Sequence, residues 1–296
     1  MTNEAAEEQY LRQTLRNLDG ARQYEDQVQA DSGGWSVSPG SSLAGDDAKT
    51  HPYQVSHNVW QALTVAVDHL HCFRRSLAEE VKEGEIALTL HTHSQYSLLR
   101  GAMENSARAV WMLGPASRLL RVERRLALQA KDHKDSDKMN ALLKRVPNRT
   151  LTERMDQLVR LMQKADPTIS DDAEALKRLR SGAQPTDIVR AAGDLAVMGA
   201  DEANLVWSAC SSLAHGDVHG TLSILEREVV RTEGGTSLTR LSSDPKILFW
   251  ATDRTIGMLH LGFRLFQERS TSYLLGRPVP VPTAMWLLER SPHLIM

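Results

Sequence analysis

Only two cysteines, Cys72 and Cys210, occur in 296 residues. No disulfide framework can staple this chain, so its stability must come from a packed core. Both cysteines sit in apolar helical pattern and read as small core residues of a reduced, cytoplasmic protein. Aromatic residues make up 5% of the chain, which leaves Leu, Ala and Met to fill that core. No apolar run reaches the ~20 residues a membrane-spanning helix needs. The acidic opening Met1–Tyr10 is unlike a secretory signal, so no membrane contact is expected. Net charge is −2, which provides no general attraction for nucleic acid.

Motifs that announce a chemistry are missing as well. There is no Gly-rich phosphate loop, no Gly-x-Ser-x-Gly elbow, no Cys-x-x-Cys and no His-Glu-x-x-His. Helical di-iron sites need two Glu-x-x-His pairs, and Asp68-x-x-His71 is the nearest approach. Nucleotide hydrolysis, serine hydrolysis and ferritin-like oxidation are disfavoured on these grounds, and no cofactor is expected.

What is present is helix. At 41% hydrophobic and 24% charged, the composition is that of an ordinary globular protein. Residues 1–30 read as a polar N-terminal helix, loosely docked or available to a protein partner. Residues 31–50, rich in Ser, Gly and Asp, read as a flexible linker. Residues 51–296 read as the helical-bundle domain. Its second helix runs from about Tyr53 to Lys82, with Val59, Leu63, Ala66, Val67, Leu70, Phe73 and Leu77 on the buried face. After a turn at Gly84, a nearly uncharged third helix runs to Leu113, where Gly114-Pro115 stops it and opens the next. A basic helix follows to about Arg145 and resumes at Thr150-Leu-Thr-Glu153, a capping-box spacing. Shorter helices are predicted at about 171–180, 186–198 and 201–214. β-prone runs around Glu233-Gly234-Gly235 predict an appended β-hairpin at about 221–241. Pro245 opens a last long helix, apolar on nearly every face and hence expected at the centre, and a short helix closes at Thr283–Arg290. The fold class is all-α: a multihelical bundle with one small hairpin. Its surplus of apolar helices predicts a homodimer.

Charge is unevenly placed. Residues 1–50 carry nine acids against four Lys/Arg, and residues 116–165 carry thirteen Lys/Arg against six acids. That asymmetry predicts an anionic partner for the middle segment, or contact between the two segments, or a solvated face.

Three constellations are candidates for function. In the third helix Arg100, Glu104 and Arg108 recur every fourth residue within an apolar helix. Antiparallel pairing with the second helix brings His69 level with Arg100. This is a polar pocket for an anion or for acid–base work, or else a structural network tying two helices. The second is Ser211–His219. Trp207, Ser211 and His215 fall on one helical line, and His215 and His219 have metal-ligand spacing. Gly216 breaks the helix between them and only Asp217 offers a third ligand, so no metal is expected. A histidine bonding the last carbonyls of its helix is the plainer reading. The third is Arg254-Thr-Ile-Gly-Met-Leu-His260, a polar pair inside an apolar helix.

That last arrangement, an arginine and a histidine separated by five residues, resembles the signature of HEPN-type helical-bundle proteins, many of them metal-independent ribonucleases in toxin and antiviral systems. The resemblance implies RNA as partner, with His260 as base and Arg254 holding the scissile phosphate. It covers only the helical segments from about 51 to 270, and Thr255 stands where the family usually has Asn, His or Asp. The competing expectation is a non-catalytic interaction or small-ligand-binding protein whose Arg100/Glu104 network is structural.

Overall fold

The structure, a computed structural model, describes residues 3–29, 31–82, 85–180, 182 and 184–272. The Gly84 turn and the closing helix expected at Thr283–Arg290 lie outside the described residues. The helices are α1 (Asn3–Ala21), α2 (Gln23–Gln27), α3 (Ser42–Thr50), α4 (Val55–Leu77), α5 (Ser94–Leu113), α6 (Arg118–Leu142), α7 (Leu151–Ala165), α8 (Asp172–Arg180), α9 (Pro185–Gly193), α10 (Gly199–His215), α11 (Val218–Ile224) and α12 (Pro245–Ser270). Two antiparallel pairs accompany them, β1 (Ala78–Lys82) with β2 (Glu85–Leu88) and β3 (Glu226–Glu233) with β4 (Thr236–Ser242). The architecture is the expected all-α bundle with an appended hairpin. No helix among the described residues is long and apolar enough to cross a membrane.

α4 buries the expected stripe, Val59, Leu63, Ala66, Val67, Leu70, Phe73 and Leu77. It ends at Leu77 rather than Lys82. Beyond Leu77 the stripe has nothing left to bury, since Val81 is exposed, and the chain folds back as β1/β2. This hairpin is nearly symmetrical, with Ala78 opposite Leu88 and Lys82 opposite Glu85, so it lengthens the connection without shifting the helices against each other. His69 accordingly lies on Gly101, one residue from its expected level, so close that a Cβ there would stand 2.4 Å from its Nε2.

α5, not α12, is the hub of the bundle: α4, α6, α9, α10 and α12 all pack on it. Its small buried residues Ala102, Ser106, Ala107 and Ala109 permit close approach from several sides. α12 was expected at the centre, but Arg254, Gly257 and Arg264 break its apolar surface along one face. A second, smaller core joins Val122, Leu126 and Ala130 of α6 to Leu158, Val159 and Met162 of α7 and to Ala175 and Leu179 of α8. The Thr150–Glu153 capping box is present, with Glu153 N–H donating to Thr150 Oγ1 at 3.2 Å and Thr150 N–H to Glu153 Oε2 at 2.7 Å.

The hairpin β3/β4 turns on Gly234 and Gly235, both at positive φ, as a two-residue turn demands. Its expected first residues, 221–225, belong instead to α11 and the residue after it.

The N-terminal fifty residues depart most from expectation. α1 and α2 are docked through Leu18, Ala21 and Tyr24, all buried, and their apolar face packs on α12 and α4. The expected linker contains α3, which buries Leu43, Asp46 and Thr50. Asp46 explains why. It is fully buried against Arg121, itself 1% exposed, through Nε–Oδ2 at 2.6 Å and Nη2–Oδ1 at 2.9 Å. Arg121 also donates to Pro115 O, Ala116 O and Ser42 Oγ, so all five of its donors are answered. Arg118 adds a contact to Asp46 Oδ1 at 3.1 Å. The acidic and basic segments therefore meet each other.

Asp46→Ala would leave the Arg121 guanidinium buried without a counter-charge. Loss of one partner of a buried pair costs ~3–5 kcal/mol, and chemical denaturation of this variant should show a loss in that range. A loss under about 1 kcal/mol, the scale of exposed pairs, would refute the anchoring role of α3.

Candidate functional site

Arg254 and His260 open onto one cavity. α12 carries Asp253, Arg254, Gly257, His260, Leu261 and Arg264 along a single stripe, spaced three and four residues apart. α1 and α2 form one wall above it, and the connection from α9 to α10 forms the other through Leu195–Met198. The enclosed volume is about 270 Å³, near the ~300 Å³ lower end of ordinary small-molecule pockets. Ala21, Met198, Ile256 and Leu261 make most of the lining apolar, and Val197 on the rim is 93% exposed.

At one end of the cavity sits a charge cluster. Arg254 donates from Nε to Glu202 Oε1 at 2.7 Å and from Nη1 to Asp253 Oδ2 at 3.1 Å. Trp250 Nε1 donates to the same Glu202 oxygen at 2.9 Å, and Asn17 Nδ2 to Asp253 Oδ1 at 3.1 Å. Burial raises the Asp253 carboxyl above the usual range, against the lowering effects of Arg254 and Asn17. At the other end Tyr24 stacks on Phe263, with centroids 4.3 Å apart, and places its hydroxyl 2.5 Å from His260 Nδ1. Burial pushes the Tyr24 hydroxyl up to about 12, so it is the donor. His260 Nδ1 is then the acceptor, and the neutral ring carries its proton on Nε2. Arg264 stands beside it, 3.8 Å from Glu268.

Between the two ends lies Gly257. A Cβ added there meets nothing within 4 Å, so the helix backbone itself is the floor of the cavity. A glycine inside a helix costs about 1 kcal/mol relative to alanine, and no packing contact in the fold requires it at this point.

The Arg100–Glu104–Arg108 ladder is half-buried at the α5–α10 interface. Glu104 lies 3.5 Å from each arginine, Trp207 Nε1 donates to it at 3.3 Å, and Arg100 stands 5.8 Å from the Trp207 ring centroid. This is a tie between two helices. Among the described residues no hydrogen bond joins His69 to the ladder, and His71 turns to Glu25 at 3.1 Å instead. Ser211 is half-buried and His215 and His219 are exposed. Among the described residues no group of three His, Cys, Asp or Glu is placed to hold a metal. The carbonyl contact expected of His215 is made by His93, whose Nδ1 lies 3.0 Å from Leu213 O. Cys210 is buried as expected, but Cys72 is exposed on α4.

Sequence reasoning missed Tyr24, Asn17, Gly257, Glu202 and the Leu195–Met198 wall. A mid-helix glycine one turn from Arg254 and His260 was the available signal. The wall residues come from segments far apart in the chain and left none.

Burial, then the nearby Arg264, lower the His260 imidazole below its usual value, and burial followed by Arg154 does the same at His133. The folded protein thus keeps both rings neutral where the unfolded chain takes up protons. Stability is fully present above an ordinary imidazole value of ~6.5 and falls as pH drops through it. The melting temperature should decline from pH 7.5 to 5.5, and less steeply in His260→Gln. Comparison at matched pH cancels Asp253, whose raised carboxyl acts in the opposite sense. Superimposable slopes for the two proteins would contradict the assignment.

No protein-family model matches the chain, no curated protein is similar to it, and no solved structure resembles it.

Proposed function

We propose that this chain is a non-catalytic binding protein whose groove between α1, α12 and the α9–α10 connection takes a small, mainly apolar molecule with a polar end. The observation that carries this reading is the Gly257 floor: an open, apolar-walled cavity over a bare helix backbone, with polar groups at both ends. Gly257→Ala places a methyl group in open space and removes a helix-breaking residue, so it should raise stability by about 0.5–1 kcal/mol. Gly257→Leu fills the cavity without meeting a wall at its Cβ. A fluorescence screen with apolar probes should detect saturable binding to the wild type and none to Gly257→Leu. Equal probe binding by both proteins would remove the groove from consideration.

A second reading, the HEPN-like ribonuclease, is favoured by one fact: Arg254 and His260 share the groove. Against it, Glu202 and Asp253 already neutralise Arg254, and Tyr24 occupies the His260 nitrogen a general base would use. The same preparation incubated with single-stranded RNA and EDTA decides: cleavage abolished by His260→Ala would replace the binding reading with the nuclease.

The two free cysteines suit a reducing compartment such as the cytoplasm. A second copy of the chain is the partner we infer. Val229, Val230 and Leu238 are at least half exposed on β3/β4, a two-stranded sheet too small to be stable alone. The alternation of Glu226, Arg227, Glu228 and Arg231 along β3 is self-complementary in charge. Light scattering should report a dimer, and Val230→Lys should shift it to monomer; a monomeric wild type at tens of micromolar would exclude the homodimer.

A further inference from the structure

The far end of α6 exposes apolar surface of the kind the rest of the bundle hides. From residue 134 to residue 157 no residue is buried, so α6 projects about 14 Å beyond His133, its last buried residue. Met139, Leu142, Leu143 and Val146 follow one helical stripe along this projection. Each is at least half exposed, and Val146 is 93% exposed. Four apolar side chains on one protruding tip form a contiguous patch, which marks an interaction surface.

The way the helix closes keeps them outside. Lys144 N–H donates to Ala141 O at 3.1 Å and Arg145 N–H to Asn140 O at 2.9 Å, the pairing of a left-handed C-terminal turn. In such a turn an apolar residue in the place of Arg145 commonly packs back on the helix. Here that place holds a cation, and Met139 is left without the cover. Lys144 itself sits at φ 51°, where glycine is favoured and a side chain is strained. The turn thus presents two adjacent cations, one of them at a backbone cost.

Between Asp137 and Glu153 the chain has no acid and carries Lys138, Lys144, Arg145 and Arg149, all exposed. Lys138 lies 3.6 Å from Asp135, and Arg149 donates to Gln157 Oε1 and to Glu153 O. Among the described residues no carboxylate pairs with Lys144 or Arg145. Nearer the body the balance reverses, with Lys131, Lys134 and Arg154 against Asp132, Asp135, Asp137, Glu153 and Asp156. Screening limits exposed charges to a reach of about 8–10 Å in physiological salt. The apex therefore presents its own positive charge rather than the net −2 of the chain.

These features select the occupant. A second copy would set cation against cation, and a convex tip offers no pocket to a small molecule. An apolar apex ringed by Lys and Arg is matched by an anionic bilayer. Such a surface takes apolar side chains below its headgroups and cations among them, and it needs no shaped counterpart.

We infer that the tip of α6 and the turn after it, residues 138–149, docks the protein reversibly on an anionic lipid surface. Such a contact needs no spanning helix and is independent of the groove on α12.

Sedimentation of the full chain with vesicles tests the inference, using phosphatidylcholine alone and phosphatidylcholine with about 30% phosphatidylserine. The wild type should bind the acidic vesicles half-maximally at on the order of 0.1–1 mM lipid, the strength of a marginal, reversible anchor. It should release them as salt rises from about 0.1 to 0.5 M. Val146→Asp puts an acid at the most exposed apolar residue of the tip and should weaken binding at least about tenfold. Lys144→Gly suits the left-handed turn, so it should hold or raise the melting temperature while weakening binding about fivefold. Arg240→Gln on β4 should bind as the wild type does. Binding that ignores Val146→Asp, or an equal loss in Arg240→Gln, overturns the inference. So does equal binding to both kinds of vesicle, which would show apolar adhesion without recognition of charge. Wild type left in solution at about 5 mM acidic lipid overturns it as well, in favour of an acidic protein partner.

Discussion

The C-terminal end of α5 is the constraint on which the remaining structure hangs. The most buried helix of the bundle stops inside the protein at Gly114-Pro115, and its last carbonyls have no partner within the helix. Two guanidiniums supply them, and a third takes the carbonyls that follow. Arg124 donates to Trp111 O while lying over that indole, 4.5 Å from its centroid. Arg269 of α12 donates to Leu113 O at 2.5 Å and to Pro115 O at 3.0 Å. Arg121 takes Pro115 O at 2.7 Å and Ala116 O at 3.0 Å. Positive charge at this end also interacts favourably with the negative end of the helix dipole. Arg121 is too deeply buried to be left without a counter-ion, and Asp46 provides one. Its neighbour Asp47 then turns to the start of α4, accepting from Ser56 N–H and Oγ at 2.9 and 2.6 Å. One corner thus orders α3, α4, α6 and α12 together. It also seats the groove, because Leu195 rests on Gly114 so tightly that a Cβ there would stand 2.2 Å away.

This corner changes the meaning of the basic middle segment. Counted along the chain, residues 116–165 look like a surface for a polyanion. In space, Arg118 and Arg121 belong to Asp46, Arg124 to a carbonyl and an indole, and Arg154 to Asp137. The positive charge of the segment is thus largely answered from within the protein.

Periodicity recovered the long helices and their buried faces because a helix stripe is a local property. The capping box, the Gly-Gly turn and the Gly-Pro stop were legible for the same reason. The ends were less so. α4 stopped early where no neighbour remained to cover Val81, which only packing determines. Asp46 was hidden within a Ser/Gly/Asp-rich run, where composition suggests a linker and nothing signals that one carboxylate has a buried partner 75 residues on. The candidate site was half legible. Arg254 and His260 stood out as polar interruptions, and they do share a cavity. Their electrostatic state was invisible, since Tyr24, Asn17 and Glu202 approach from other helices and decide which atoms are already engaged.

Because Asp46 reaches back into the bundle and Tyr24 closes the groove, the N-terminal fifty residues are a structural organ of the domain rather than an extension of it. Trimming the chain to residue 51, the boundary that composition nominates, would remove a counter-ion from one end of the protein and a wall from the other. A single cut within the exposed stretch around Gly33 would have a different result, since both pieces keep the surfaces that fit them together. The turn there, in which Ser36 donates to Gly33 O, would be lost, while α1 and α2 keep their faces for α12 and α4 and α3 keeps its Asp46–Arg121 pair.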